Sequence, residues 1–281
     1  MTAPTPLITV AELAQLRLSD RPPVVLDVRW RLDEPDGLPA FRESHLPDAV
    51  YVSLDDELAR HGDPGEGRHP LPDPDAFQAS ARRWGIDDGD TVVVYDDWQG
   101  FGSARAWWML TDAGVDARVL DGGLAAWRSA GLPLSTGDPH TPEPGDVTPH
   151  PGHLRQLGID EAAALAQSGV LLDVRAPERY RGDTEPIDPR AGHIPGARNA
   201  PTALNTDSDG RFLHDYALRE RFEAAGVDSD TEVGVYCGSG VSAAHAALAL
   251  TLAGYEPALY VGSWSQWSNH PDRPVATGAQ P

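Results

Sequence analysis

The residue best suited to chemistry is Cys237, the only cysteine among 281 residues. Residues 231–236 before it are typical of a short strand, and the small residues 238–242 lead into an alanine-rich helix over 243–253. The thiol is therefore predicted to lie where backbone N–H groups and a helix dipole favour a thiolate. Many free cysteines are simply buried small hydrophobes. The glycines on both sides of Ser239 favour the nucleophile instead, because they let backbone N–H groups turn toward one point.

The composition excludes several classes of function. The formal charge is −21, and all 22 basic residues are arginine. Such an acidic surface repels phosphate backbones and anionic membranes, so we expect neither nucleic acid nor membrane as a partner. The absence of lysine excludes a Schiff-base or P-loop lysine, and one cysteine allows no intramolecular disulfide. With no basic leader and no long apolar run, a cytoplasmic location is expected.

The chain contains one pattern twice. The apolar strand ending in Asp-Val-Arg at 24–29 recurs at 170–175, and the His-x-Pro turn at 45–47 recurs at 193–195. A strand ending in tyrosine at 91–95 recurs at 232–236, and a glycine-containing segment before tryptophan at 120–127 recurs at 260–267. Four ordered motifs at similar offsets predict two homologous domains, which we place at 1–138 and 152–281 with a linker at 139–151.

Each copy alternates apolar strands with helices, which predicts an α/β fold with a mainly parallel sheet and helices on both faces. Ligands bind such sheets at the carboxyl ends of the strands, where Cys237 lies. The two copies differ at this position, because Tyr236 is followed by Cys237 whereas Tyr95 is followed by Asp96. Only the C-terminal copy is therefore expected to perform sulfur chemistry.

These motifs together resemble the tandem-domain rhodanese family of sulfurtransferases. The Cys-Gly-Ser-Gly-Val loop at 237–241 is most similar to the 3-mercaptopyruvate sulfurtransferase branch, although Ser242 stands where that branch commonly has threonine. The resemblance implies that Cys237 takes sulfur from a donor as a persulfide and passes it to cyanide or a thiol such as thioredoxin. It implies no metal or organic cofactor.

The resemblance also implies two arginines that hold the carboxylate of the donor, since a guanidinium fork matches a carboxylate. Arg179 matches the first, and either Arg190 or Arg181 matches the second. A catalytic set of Ser239, His69 and Asp55 is implied likewise, in which a polarised hydroxyl protonates the leaving enolate. The substrate is further expected to contact the loop residues Gly238, Gly240, Val241 and Ser242.

Two alternatives remain open at this level, and a third, a phosphatase, lacks the loop that it needs. A phosphatase of the same domain plan would need a Cys-x5-Arg loop, and residues 237–243 contain no arginine. Thiosulfate could be the sulfur donor in place of 3-mercaptopyruvate. The chain could also be a binding module that carries a persulfide without a preferred small donor.

Overall fold

A computed structural model describes residues 5–281 as two compact units. The first contains the residues up to Arg60 together with Pro72–Leu154 and Thr206–Phe212. The second contains His61–Leu71, Arg155–Asn205 and Leu213–Pro281. Each unit thus includes one short segment from the other half of the sequence. The contiguous domain limits placed at 138 and 152 stay a prediction.

Both units are built on parallel sheets, as the sequence predicts. In the first unit the strands pair in the order β1-β5-β4-β2-β3, with every pair parallel. Their bounds are β1 (Leu7–Ile8), β2 (Val24–Asp27), β3 (Val50–Tyr51), β4 (Thr91–Tyr95) and β5 (Asp116–Leu120). The second sheet has the order β7-β6-β8-β9, again parallel. Its strands are β6 (Val170–Asp173), β7 (Arg198–Asn199), β8 (Val233–Tyr236) and β9 (Ala258–Leu259).

Helices cover these sheets, which explains why the central strands are apolar along their length. Every residue of β6 and β8 is buried. The helices of the first unit are α1 (Val10–Leu16), α2 (Leu38–Glu43), α3 (Leu54–Glu57), α4 (Pro74–Arg83), α5 (Phe101–Asp112) and α6 (Gly123–Ser129). Those of the second are α7 (Ile159–Ser168), α8 (Pro177–Arg181), α9 (Asp215–Ala224), α10 (Val241–Leu252) and α11 (Ser263–Ser268). Within residues 5–281, no helix is both long and apolar enough to cross a membrane.

The residues that recur in both copies make the same contacts in each unit. Tyr95 and Tyr236 each accept a hydrogen bond from the backbone N–H that follows the histidine of the His-x-Pro turn, at 3.0 and 3.1 Å. The histidines stack on neighbouring rings and bond nearby carbonyls. The Asp-Val-Arg motifs form buried ion pairs, Arg29 with Asp27 and Arg175 with Asp173. These contacts hold the strand ends in place and give the shared residues a structural role.

The stretch predicted as a linker is fixed to the first unit by its backbone. The N–H of Gly145 bonds the carbonyl of Arg82, and that of Val147 bonds the carbonyl of Ile86. Further on, the N–H of His150 bonds the carbonyl of Ala113. The Pro- and Gly-rich composition therefore corresponds to an extended segment held on a surface.

Candidate active site

Cys237 lies in the second unit, directly after β8 and four residues before the first residue of α10. Gly240 has a φ of +83°, the left-handed region that glycine adopts without strain, and this turn aims its N–H at the thiol. The distance from the Gly240 nitrogen to Cys237 Sγ is 3.1 Å. The backbone of Cys237 is also fixed. Its N–H donates to Ser263 Oγ at 3.1 Å, and its carbonyl accepts a hydrogen bond from the Trp264 N–H. The loop thus fixes the sulfur over the amino end of a twelve-residue helix.

The first unit shows what this loop shape does to an anion. Asp96 occupies the position of Cys237, and Gly100 has a φ of +86° at the start of α5. The Asp96 carboxylate accepts hydrogen bonds from the backbone N–H groups of Trp98, Gly100 and Ser103, at 2.9 to 3.0 Å. The same strand–loop–helix turn therefore surrounds a carboxyl group with N–H donors in the copy that lacks sulfur. Burial raises the pKa of Asp96, and these hydrogen bonds partly offset that effect. By the same geometry, the loop of the second unit suits a thiolate.

Ser239 and His69 are brought into contact, as expected for a catalytic pair. His69 Nδ1 lies 2.8 Å from Ser239 Oγ, and Ser239 is buried with 6% of its surface exposed. The roles that we assign to this pair remain predictions. Their proximity follows from the position of the segment His61–Leu71, which folds as part of the second unit.

Backbone contacts hold this segment against α11. Gly67 has a φ of +93°, and a Cβ built on it would stand 2.7 Å from the Gly262 carbonyl oxygen, so only glycine fits. The Arg68 N–H donates to Ser265 Oγ at 3.1 Å, and His270 Nε2 lies 3.0 Å from the Gly65 carbonyl. The segment His61–Leu71 is therefore held in place by these contacts, together with the functional groups that it carries.

Arg179 reaches the cysteine loop from α8. A Cβ built on Gly238 would lie 3.4 Å from Arg179 Nη1 and 3.7 Å from Nη2. On its other side the guanidinium pairs with Glu185 at 2.6 Å and with Asp188 at 3.3 Å. Its side chain is 18% exposed, so the positive charge is largely shielded from solvent next to the cysteine loop. This position agrees with the predicted contact to a donor carboxylate.

Arg68 is a second guanidinium at the same place, and sequence reasoning did not select it. Its Nη2 lies 3.0 Å from the Cβ built on Gly238, and its Nη1 pairs with Asp188. Burial raises the pKa of the Asp188 carboxyl, while the two arginines partly offset that effect. Arg68 and Asp188 also border a cleft of about 490 Å³. The one feature of the sequence that could have indicated Arg68 as a functional residue is its position directly before His69.

The structure gives Arg190 a different task from the one expected. Its guanidinium donates to four backbone carbonyls at 2.7 to 2.9 Å, and only one of its five N–H groups is left over. These carbonyls belong to Trp267, Ser268, His270 and Arg273. Arg190 therefore fastens the turn after α11, and these contacts leave it little capacity to bind a substrate carboxylate. The alternative, Arg181, pairs with Asp183 at an exposed position.

The other predicted residues fall in two places. Gly238, Gly240, Val241 and Ser242 form the loop and the first turn of α10, as the sequence predicts. Asp55 lies in the first unit, within α3, where it accepts a hydrogen bond from Trp30 Nε1 at 3.0 Å. The catalytic role of Asp55 stays a prediction. His245, in α10, is fully buried with its Nδ1 2.7 Å from Thr202 Oγ1, which indicates packing.

Comparison with known proteins agrees with this geometry. Residues 9–130 and 159–270 match the family model of the rhodanese-like domain. The chain belongs to the rhodanese family. The two matches correspond to the two copies of the pattern, and the chain is a tandem-domain sulfurtransferase that acts on a small sulfur donor and an acceptor. The predicted fold class and the predicted enzyme class are both confirmed.

Its relatives carry the names of two different donors. A putative thiosulfate sulfurtransferase, SseB of Mycobacterium tuberculosis, is 52% identical over 276 residues, covering 97% of each chain. A probable 3-mercaptopyruvate sulfurtransferase of Pseudomonas aeruginosa is 47% identical over 283 residues, covering 97% of this chain and 98% of its own. Among solved structures, SseA of Escherichia coli, named among the 3-mercaptopyruvate sulfotransferases, gives a TM-score of 0.79 at 30% identity, covering 93% of this chain and 99% of that one.

Proposed function

We propose that this enzyme moves sulfur from 3-mercaptopyruvate to a thiol or cyanide acceptor through a persulfide on Cys237. The observation that carries the proposal is the contact of His69 Nδ1 with Ser239 Oγ at 2.8 Å, two residues from the thiol. A proton-delivering pair beside the nucleophile suits a donor whose leaving group is a carbanion equivalent.

In the first half-reaction, the Cys237 thiolate attacks the sulfur of 3-mercaptopyruvate. A sulfur–sulfur bond forms while the carbon–sulfur bond breaks, and its electron pair passes to the methylene carbon as the enolate of pyruvate. Ser239, polarised by His69, supplies the proton that converts the enolate to pyruvate. The sum is one cysteine thiol and one mercaptopyruvate giving one cysteine persulfide and one pyruvate, with no external oxidant or reductant.

In the second half-reaction, the acceptor attacks the outer sulfur of the persulfide. Cyanide leaves as thiocyanate, and a thiol leaves as its own persulfide, so Cys237 is regenerated as a thiolate. The N–H of Gly240 stabilises this leaving thiolate as it stabilises the attacking one. Thioredoxin is the macromolecular thiol that we propose among the acceptors.

The donor carboxylate is assigned to Arg179 because its Nη1 faces Gly238 at the mouth of the cysteine loop. An arginine at this place both attracts a carboxylate and orients it by directed N–H donors. We keep Asp55 as the proposed third member of the Ser239 and His69 set. Arg190 is the weaker candidate for substrate, given the four carbonyls that it already serves.

The second candidate is thiosulfate as donor, which the name of the 52% identical relative favours. Sulfite leaves thiosulfate with its own charge and needs no proton, so the Ser239 and His69 pair would have no task in that reaction. Thiosulfate is also a dianion, which the formal charge of −21 disfavours more than a monoanion. If the protein only carried a persulfide and had no preferred donor, neither the pair of Ser239 and His69 nor the arginines would have a function in the reaction.

Intact-protein mass spectrometry tests the proposal. After incubation with 3-mercaptopyruvate, the wild-type protein is expected to gain about 32 Da, the mass of one sulfur atom, and to lose it on addition of cyanide. The Cys237→Ser variant is expected to gain nothing. Sulfur transfer that persists in Cys237→Ser, or a wild-type protein that stays unmodified by this donor, contradicts the proposal.

A further inference from the structure

We infer that Ser265 is a positioning residue for the proposed reaction, which holds His69 in register with the cysteine loop through one hydrogen bond to each. His270 gives the segment that carries His69 a second anchor. The inference rests on the proposed function, in which His69 acts through Ser239. It adds two residues that act through His69 rather than on the substrate.

The backbone of the cysteine loop is bonded to the first turn of α11. The Trp264 N–H donates to the Cys237 carbonyl at 2.9 Å, and the Ser265 N–H donates to the Gly238 carbonyl at 2.8 Å. These bonds use only the backbone of α11, so they are kept when the Ser265 side chain is changed. The cysteine loop is therefore fixed to α11 independently of the Ser265 hydroxyl.

The Ser265 hydroxyl makes the bond to the other side. Its Oγ accepts a hydrogen bond from the Arg68 N–H at 3.1 Å and donates to the Gly262 carbonyl at 3.1 Å. Ser265 is fully buried, and a Cβ built on Gly67 would stand 3.1 Å from its Oγ. The backbone of the segment His61–Leu71 therefore packs directly on this hydroxyl.

Ser265 thus joins the two members of the proposed catalytic pair. Through its N–H it holds Gly238, the neighbour of Ser239, and through its Oγ it holds Arg68, the neighbour of His69. His69 Nδ1 lies 2.8 Å from Ser239 Oγ, and proton transfer needs a separation of about 2.6–3.2 Å between such atoms. A displacement of about 1 Å in the segment would therefore separate the pair and slow the reaction.

The segment His61–Leu71 depends on such anchors because the chain enters it from Arg60 and leaves it at Pro72, which both belong to the first unit. His270, just after α11, supplies the second anchor. Its Nε2–H donates to the Gly65 carbonyl at 3.0 Å. The two anchors bond the backbone at positions 65 and 68, directly before His69.

His270 is itself held in place, because Arg190 Nη2 donates to its carbonyl at 2.7 Å. The segment has one further contact, the ion pair of Arg68 with Asp188. That pair is made at the end of a long side chain with many rotamers, so it restrains the Arg68 backbone less than the bond to Ser265 does. The position of His69 is therefore set mainly by Ser265 and His270.

Hydrogen exchange followed by mass spectrometry tests the anchoring without any sulfur donor. In Ser265→Ala, we expect the amides of residues 61–71 to exchange at least about 10-fold faster, because the Arg68 N–H loses its acceptor and local opening becomes easier. The amides of α10 are expected to exchange as in the wild type. Unchanged exchange in residues 61–71 overturns the inference.

The matched control is Ser268→Ala, the same substitution on the same helix. Ser268 is buried, and its hydroxyl has no hydrogen-bond partner within residues 5–281. This variant is expected to leave the exchange of residues 61–71 unchanged. An increase equal to that of Ser265→Ala would contradict a specific role of the Ser265 hydroxyl.

A double-mutant cycle tests whether Ser265 acts through His69. Ser265→Ala alone is expected to lower kcat for 3-mercaptopyruvate about 10-fold with little change in KM, because the proton is needed in the transition state. In a His69→Gln background, the same substitution is expected to change kcat by less than about twofold. Losses that simply multiply would contradict the positioning role and show that Ser265 supports the fold in general.

If Ser265→Ala does not fold, His270→Ala serves in both experiments, with the same expected and contradicting results. His270→Gln keeps a side-chain N–H donor and is expected to recover part of the lost kcat. If the wild type turned over no 3-mercaptopyruvate, the proposed donor would fail. The exchange rates of residues 61–71 would then still decide the inference, since faster exchange supports the anchors and unchanged exchange overturns them.

Discussion

Replacing Ser239 by alanine removes the hydroxyl that contacts His69 Nδ1 at 2.8 Å and leaves Cys237 and its N–H donor untouched. The lost bond is a partly buried neutral one, so we expect the free energy of unfolding to fall by only about 1 kcal/mol. Loss of general-acid catalysis is expected to lower kcat/KM for 3-mercaptopyruvate by about 100-fold or more, which is about 2.7 kcal/mol in the barrier. The thiosulfate reaction needs no such proton and is expected to change by less than about threefold.

The assay follows sulfide release from 3-mercaptopyruvate with a thiol acceptor and thiocyanate formation from thiosulfate with cyanide. Ser168→Ala is the matched control, because this exposed serine on α7 bonds the Ala164 carbonyl of its own helix. It is expected to behave as the wild type with both donors. Equal losses with both donors in Ser239→Ala would refute the reasoning, since the hydroxyl would then serve the loop rather than the leaving enolate.

Three further predictions concern the surroundings of the thiol. Gly238→Ala is expected to fold, because the three atoms nearest to the new methyl group are flexible arginine ends, but to raise KM for 3-mercaptopyruvate in steady-state assays; an unchanged KM contradicts this placement. Arg190→Gln is expected to lower the free energy of unfolding, measured by urea titration, by about 2–4 kcal/mol and to leave KM unchanged in steady-state assays. A raised KM without loss of stability would show that Arg190 binds the substrate. Burial raises the pKa of Asp188 above 3.8, so its anion costs stability as the pH rises through that raised value. The free energy of unfolding of the wild type minus that of Asp188→Asn is therefore expected to fall from pH 3.5 to 7. A rise in this difference would contradict the prediction.

Local patterns predicted much of this molecule because they depend on neighbours in sequence. The repeated strand ends, the His-x-Pro turns and the loop at Cys237 each follow from residues within one βα unit. The contact between Ser239 and His69 was expected only from the family resemblance, since 170 positions separate the two residues. No local signal in the sequence would have paired them.

The arginines show what such patterns cannot supply. Arg68 reaches Gly238 because backbone contacts, including the close approach of Gly67 to the Gly262 carbonyl, carry its segment into the second unit. Arg190 donates to four backbone carbonyls. Because every residue has a carbonyl, the sequence does not indicate which carbonyls an arginine will bond. Both outcomes depend on tertiary position rather than on residue type.

The choice of donor is the central claim, and the most direct measurement is kcat/KM of the wild-type enzyme for 3-mercaptopyruvate and for thiosulfate with one acceptor. The proton-delivering pair of Ser239 and His69, together with arginines suited to one carboxylate, predicts the higher value for 3-mercaptopyruvate. A value for thiosulfate equal to or above that for 3-mercaptopyruvate would contradict the account and make this chain a thiosulfate sulfurtransferase.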